Sequence, residues 1–303
     1  MLATLLSVVV YSVIRLTPTQ PGQLVFHDDF DGPVGSSPTG WTNETGGNGW
    51  GNNELESYTQ SPANSYLDGK GHLVIEARQQ HTTGTDGIAR DYTSARLVSK
   101  GHFSLAYGRF EARVMVPKGQ GIWPAFWLLG DDIGTAGWPG CGEIDVMEVL
   151  GQQPNICHGT LHGPGYSGAA GPTAEYVSKT SLANDFHVYA VEWESGYVRW
   201  YVDGNLYHTV TPGSVAPHHW VFNHPFFLIR TSQWAANGPE TRTAPPSSRS
   251  KWLSIMCEFI SWRASRKAKN TRSVSVNFYP DDRSNSIKPL NVPVKALKNF
   301  LAI

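Results

Sequence analysis

Gly142-Glu143-Ile144-Asp145-Val146-Met147-Glu148-Val149-Leu150-Gly151 decides how the rest of the chain is read. Acids alternate with apolar residues from Glu143 to Val146, the period-2 pattern of a strand with one buried face. Glu143 and Asp145 therefore project to the same side. Glu148 is an odd number of residues from Glu143, so a regular strand would turn it the other way. One extra residue restores it, which is what a β-bulge supplies. The spacing predicts a bulge at Val146–Met147 and three carboxyls on one open face, close enough to raise one another's pKa. The plainer reading is a solvated face of an antiparallel sheet. Against it, like charges crowded on one strand are destabilising.

Working outward, the flanks read as strands and turns. On the N-terminal side Gly121–Leu129 is a buried strand carrying Trp123 and Trp127, and on the C-terminal side His158–His162 is the expected hairpin partner. Phe103–Val116 alternates Phe110, Ala112, Val114 and Val116 against Arg109, Glu111 and Arg113. Leu24–Gly32, His72–Arg78, Tyr92–Lys100, His187–Trp193 and Tyr197–Val202 are further strands, the last followed by the turn Asp203-Gly204. Gly46–Tyr58 is too rich in Gly and Asn for a regular element and reads as a long loop, either for binding or plain surface. Many short strands with turns between them predict an all-β sandwich of two antiparallel sheets.

The composition agrees. The 303 residues include 31 Gly, 20 Pro and 11 Trp but only 16% charged residues, as expected of a loop-rich β-protein that can bury a large core. Tryptophan at this density serves a core, or a groove where flat rings stack on sugar faces. The formal charge of −1 hides an asymmetry. Residues 1–229 hold 11 Lys+Arg against 21 Asp+Glu, whereas residues 230–303 hold 13 against 4. A solvated or nucleic-acid-binding basic tail is one explanation of the second part. Cys141, Cys157 and Cys257 cannot make a disulfide framework, Cys141 and Cys157 are expected unpaired, and no metal-ligand spacing of Cys or His is present. Met1–Ile14 is apolar, too short for a membrane span, and resembles a signal-peptide core without a basic start or clear cleavage site. Thr17–Gln23 reads as a linker. The expected division is thus 1–23 signal-like segment and linker, 24–229 the sandwich domain and 230–303 an aberrant basic tail, with the protein secreted or periplasmic.

The central run resembles a known family once its neighbours are set beside it. With Trp123-Pro124-Ala125-Phe126-Trp127, Trp50-Gly51-Asn52-Asn53-Glu54-Leu55, Tyr92-Thr93-Ser94-Ala95-Arg96-Leu97, Tyr107–Arg113 and Gly159–Tyr166, it is similar to glycoside hydrolase family sixteen, and within it to the bacterial laminarinases, endo-β-1,3-glucanases. The resemblance runs from about Leu24 to Ile229. It implies a β-jelly-roll sandwich with a concave glucan cleft, acting as a monomer on β-glucan, with no nucleic-acid or membrane partner. It implies retention by double displacement, with Glu143 as nucleophile, Glu148 as general acid/base and Asp145 tuning the nucleophile. It assigns Trp123 and Trp127 to the cleft, core packing being the alternative for Trp127. Asn52, Glu54 and Arg96 are assigned to sugar hydroxyls. His162 is placed near the acids, or else is structural. No cofactor is needed for catalysis. The family often binds one stabilising Ca²⁺; Asp29 and the backbone at Gly69 fit that position, without the C-terminal aspartate expected to complete it. A non-catalytic β-glucan-binding protein, or a hydrolase of mixed-linkage glucan or a marine galactan, are the alternatives.

The resemblance stops after Ile229, where the chain turns basic and serine-rich. A single-base deletion near the codon of Arg230 explains this. Joining the last base of each codon to the first two of the next, Trp234 with Ala235 gives Gly and Met256 with Cys257 gives Val. With synonymous codons chosen to fit, Arg230–Ser261 rereads as a family-like ending. The expectation is that the C-terminal strands are missing, that residues 230–303 are irregular and poorly packed, and that the chain folds poorly and is impaired.

Overall fold

The computed structural model describes residues 23–84 and 86–234, and the backbone of a strand at Arg249–Ser261. The signal-like segment and all but the last residue of the linker lie outside the described residues, as do 235–248, the chain after 261 and the side chain of Cys257. In chain order the strands are β1 (Gln23–Asp28), β2 (Thr42–Glu44), β3 (Glu56–Tyr58), β4 (Ser65–Leu67), β5 (Leu73–Thr83), β6 (Ala89–Ser94), β7 (Arg96–Val98), β8 (Ser104–Leu105) and β9 (Gly108–Met115). After them come β10 (Ile122–Gly130), the short helix α1 (Ile133–Ala136), β11 (Glu143–Glu148), β12 (Ile156–His162), β13 (Thr173–Val177), β14 (His187–Glu194), β15 (Tyr197–Val202), β16 (Asn205–Val210), β17 (Phe226–Trp234) and β18 (Arg249–Ser261).

Two curled sheets form the expected jelly-roll sandwich. The first runs β16-β15-β14-β9-β18-β5-β6-β3, and the second β13-β12-β11-β10-β17-β7-β2. The pairs are antiparallel except β3, which lies parallel to β6. That exception departs from a purely antiparallel reading, because β3 comes from the segment read as loop. Between the sheets, alternate residues of β9 (Phe110, Ala112, Val114) meet Trp193 and Trp200 from the first sheet and Phe126, Leu128, Ile144 and Leu161 from the second, all buried. Burying such side chains contributes about 1.5–3 kcal/mol each. The outward partners Arg109, Glu111 and Arg113 are half-buried, as the alternation requires.

Three expectations are corrected. The run Tyr92–Lys100 is two strands, not one: β6 belongs to the first sheet and β7 to the second, with fully buried Ala95 at the crossing. Phe103–Val116 divides likewise into β8 and β9, on opposite sheets. The strands after Ile229 are not missing. β17 continues across the expected boundary through Trp234, buried along its whole length, and pairs with β10 residue for residue. The backbone of β18 fills the place between β5 and β9 and also pairs with β1. Backbone hydrogen bonding is indifferent to side-chain identity, so polar residues of β17 can occupy a central strand position. Arg230 is fully buried, its guanidinium 4.8–5.6 Å from the ring centroids of Phe30, Trp41 and Phe126, and burial pulls its pKa down to about 9.

Candidate active site

β11 carries the acids, and the bulge is where the alternation placed it. Against β12, Asp145 pairs with Thr160 and Glu148 with His158, three steps on one strand against two on the other. Against β10, Asp145 faces Trp127 and Glu148 faces Ala125, with the same excess residue. Ile144, Val146 and Met147 are buried in the core while Glu143 and Glu148 are half-buried on the opposite face. The bulge is held from behind: the indole N–H of buried Trp200 donates to the Asp145 carbonyl at 2.7 Å. Glycines bracket the run because nothing larger fits. A Cβ at Gly142, where φ is +74°, would come within 2.9 Å of the Phe226 ring, and one at Gly151 within 2.3 Å of the Gly119 carbonyl.

All three acids line one groove of about 530 Å³. Trp50, Trp123, Trp127 and Trp138 form its aromatic walls, and Thr160, His158 and His162 contribute from β12. His162 Nε2 lies 3.0 Å from Asp145 Oδ2 and 3.9 Å from Glu143 Oε1, and Trp138 Nε1 donates to Glu143 Oε2 at 2.8 Å. Burial dominates the electrostatics. It pushes Glu143 up to about 8, helped by the neighbouring Asp145 charge and opposed by His162 and the Trp138 hydrogen bond. It pushes Asp145 to about 7 against a hydrogen bond with Glu143. Glu148 is driven well above the ordinary carboxylate range by burial and then by the Asp145 charge. Burial and the charge of Asp145 thus favour the protonated form of both Glu143 and Glu148.

Of the other residues singled out in the sequence, Asn52, Glu54, Arg96, Trp123, Trp127 and His162 all line the groove. Two of them are more occupied than expected. Glu54 is 4% exposed and accepts from Tyr58 Oη at 2.7 Å and Asn52 Nδ2 at 3.3 Å, so it steadies Asn52. The Arg96 guanidinium sits 4.7 Å from the ring centroids of both Trp50 and Trp127 and is paired with Glu44, so it braces two walls. Trp127 faces the groove, with its ring N–H toward Thr231. Gln233, from the stretch expected to be irregular and poorly packed, also reaches the groove.

Trp50, Trp138, His158 and Thr160 escaped the sequence reading. The β12 pair is recoverable from the register, since alternate residues back from His162 share its face; Trp138 has no periodic signal. For Ca²⁺, the Asp29 carbonyl is 3.4 Å, and Asp31 Oδ1 3.8 Å, from where a Cβ would stand on Gly71, whereas the space at Gly69 is bounded by Val34. Calcium takes six to eight oxygens, and these described donors fall short of that set. Cys141 and Cys157 are unpaired and buried.

A curled β-sandwich whose groove joins tryptophan walls to a row of carboxyls defines a polysaccharide-cleaving glycoside hydrolase. The family model "Glycosyl hydrolases family 16" matches residues 53–253, and the chain belongs to that family. It is 42% identical over 215 residues to a beta-glucanase of Rhodothermus marinus, covering 68% of this chain and 73% of the relative. It is 36% identical over 251 residues to glucan endo-1,3-beta-glucosidase A1 of Niallia circulans, covering 75% of this chain and 36% of the relative. The laminarinase catalytic domain of Thermotoga maritima superposes with a TM-score of 0.72 at 39% identity, over 80% of this chain and all of that domain.

Proposed function

We infer that this chain is an endo-acting glycoside hydrolase of β-1,3-glucan that works by double displacement. The observation that carries the reading is the bulge at Val146–Met147, which returns Glu148 to the wall occupied by Glu143 and Asp145. Glu143, ionised, attacks the anomeric carbon while Glu148 gives its proton to the departing glycosidic oxygen. A glycosyl ester on Glu143 results. Water then attacks the same carbon, Glu148 takes its proton, and Glu143 leaves as a carboxylate. Asp145 shares a proton with Glu143 and lies 3.0 Å from His162 Nε2, so it carries the proton when Glu143 is the attacking carboxylate. The tryptophan walls suit flat sugar faces, and the polar groups at Asn52 and the His158–His162 strand suit hydroxyls.

A non-catalytic binding protein needs no such acid row, and all three acids are present and share the groove. Incubating the protein with laminarin, lichenan and agarose tests the substrate: reducing ends appearing fastest from laminarin, as a ladder of oligosaccharides, are expected. Cleavage of agarose alone, or binding of laminarin without cleavage by concentrated enzyme, would overturn the reading.

Impairment belongs to the same proposal. The reading frame is taken to be lost near Arg230, which leaves a guanidinium in the core and polar Thr231, Ser232 and Gln233 buried on a central strand. The nucleotide sequence around Ile229–Thr231 tests it directly. Secretion, and a stabilising Ca²⁺ beside Asp29, are carried only by the resemblance; a thermal melt with and without EGTA tests the latter.

A further inference from the structure

Trp138 is the most exposed tryptophan of the groove, 50% accessible, yet its indole N–H donates to the Glu143 carboxylate at 2.8 Å. We propose that Trp138 is a positioning residue for the nucleophile, acting through its indole N–H. The inference rests on the reading of Glu143 as nucleophile.

The two Glu143 oxygens have different surroundings. Oε2 accepts from Trp138 Nε1 at 2.8 Å, whereas Oε1 faces His162 Nε2 at 3.9 Å, beyond hydrogen-bond reach. An N–H donating to a carboxylate makes a charge-assisted bond, about twice as strong as a neutral one. It fixes the carboxylate plane through Oε2, beside the hydrogen bond that Glu143 makes with Asp145. Two further consequences follow from the chemistry. The bond favours the ionised form of Glu143, against the burial and the Asp145 charge that favour the protonated one. It is also strongest when Glu143 is a carboxylate and weaker when Glu143 is an ester. It therefore assists the second step, in which the glycosyl–oxygen bond breaks and the electron pair returns to Glu143. A glucan lying in the groove shields the bond from water and strengthens it.

The segment bearing Trp138 is tied down to serve this. Gly137 N–H donates to the Ile133 carbonyl at 3.1 Å, Cys141 N–H to the Gly137 carbonyl at 2.8 Å and Gly142 N–H to the Pro139 carbonyl at 3.1 Å. The indole is thereby referenced to the start of β11, one residue before Glu143. A tryptophan present only as a flat wall would need its ring face, with no constraint on where its N–H points.

Replacing Trp138 by 3-benzothienylalanine keeps the bicyclic ring and substitutes sulfur for N–H. With laminarin, the acidic limb of kcat/KM is expected to move up by about half a pH unit or more, with KM within about twofold. Superimposable profiles from an active wild type and this variant overturn the proposal. A second measurement needs no turnover. In ¹⁵N-indole spectra of the full chain, the Trp138 resonance, assigned by its absence in Trp138→Phe, is expected to titrate with Glu143 and to stop titrating in Glu143→Gln. A resonance that does not titrate, or titrates equally in Glu143→Gln, overturns it. A wild type inert toward laminarin would sink the functional reading alone, and the indole titration would still decide this one.

Discussion

The acids of the groove differ in what they must do and in how firmly each holds its proton. Glu148 must be protonated and Glu143 ionised in the free enzyme, so kcat/KM should rise through the neutral range as Glu143 and Asp145 ionise and fall when Glu148 does. Asp145→Asn removes the charge that raises Glu143, and the rising limb should move to lower pH; an unmoved limb contradicts the coupling. Glu148→Gln should lower turnover by about 10²–10⁴-fold. The same shifts bear on stability. All three acids bind a proton more tightly folded than unfolded, so the stability from keeping them neutral is full below the ordinary carboxylate range. It is lost as pH rises through 7 and 8. Chemical denaturation should show the free protein weaker at pH 8 than at pH 5, with a smaller difference in Glu143→Gln. At this scale the sequence spoke clearly for β11, because an odd spacing between acids has one local remedy. It was silent on Trp138, because a residue in a Gly- and Pro-rich turn takes its direction from backbone angles that no periodicity reports.

Among the elements, β11 depends on its extra residue. Deleting Met147 removes the bulge and turns Glu148 toward the core or throws the strand out of register. Laminarin hydrolysis should fall at least about 10²-fold, the contribution of a placed general acid. Activity within a fewfold of the parent would contradict the geometry. The strands that were read well, β9 above all, alternate cleanly because one face is buried. Those misread failed for other reasons. Tyr92–Lys100 is one apolar-rich run shared between two sheets, and nothing local marks Ala95 as the crossing. β3 was hidden in a Gly- and Asn-rich loop because its partner β6 comes from a distant part of the chain. The boundary was set at Ile229 because the resemblance ended there, yet the gap between β10 and β7 accepts the backbone of β17 as far as Trp234.

At the scale of the molecule, both sheets are closed across the described residues, and a guanidinium, that of Arg230, lies fully buried between them. Burying a charged guanidinium against Phe30, Trp41 and Phe126 costs several kcal/mol. Re-encoding the segment after Ile229 in the proposed frame should raise the midpoint of thermal unfolding by several degrees, at about 2–4 °C per kcal/mol for a domain this size, and raise specific activity with it. Equal melting and equal activity would show the segment to be a true part of the protein.

The central claim is that Glu143 and Glu148 stand on one wall as a nucleophile–acid pair. The anomeric configuration of the first product tests it most directly, followed by ¹H NMR as concentrated enzyme cleaves a laminari-oligosaccharide. The account predicts that the β-anomer appears first and mutarotates to α. Prompt appearance of the α-anomer would mean direct displacement by water and would contradict it.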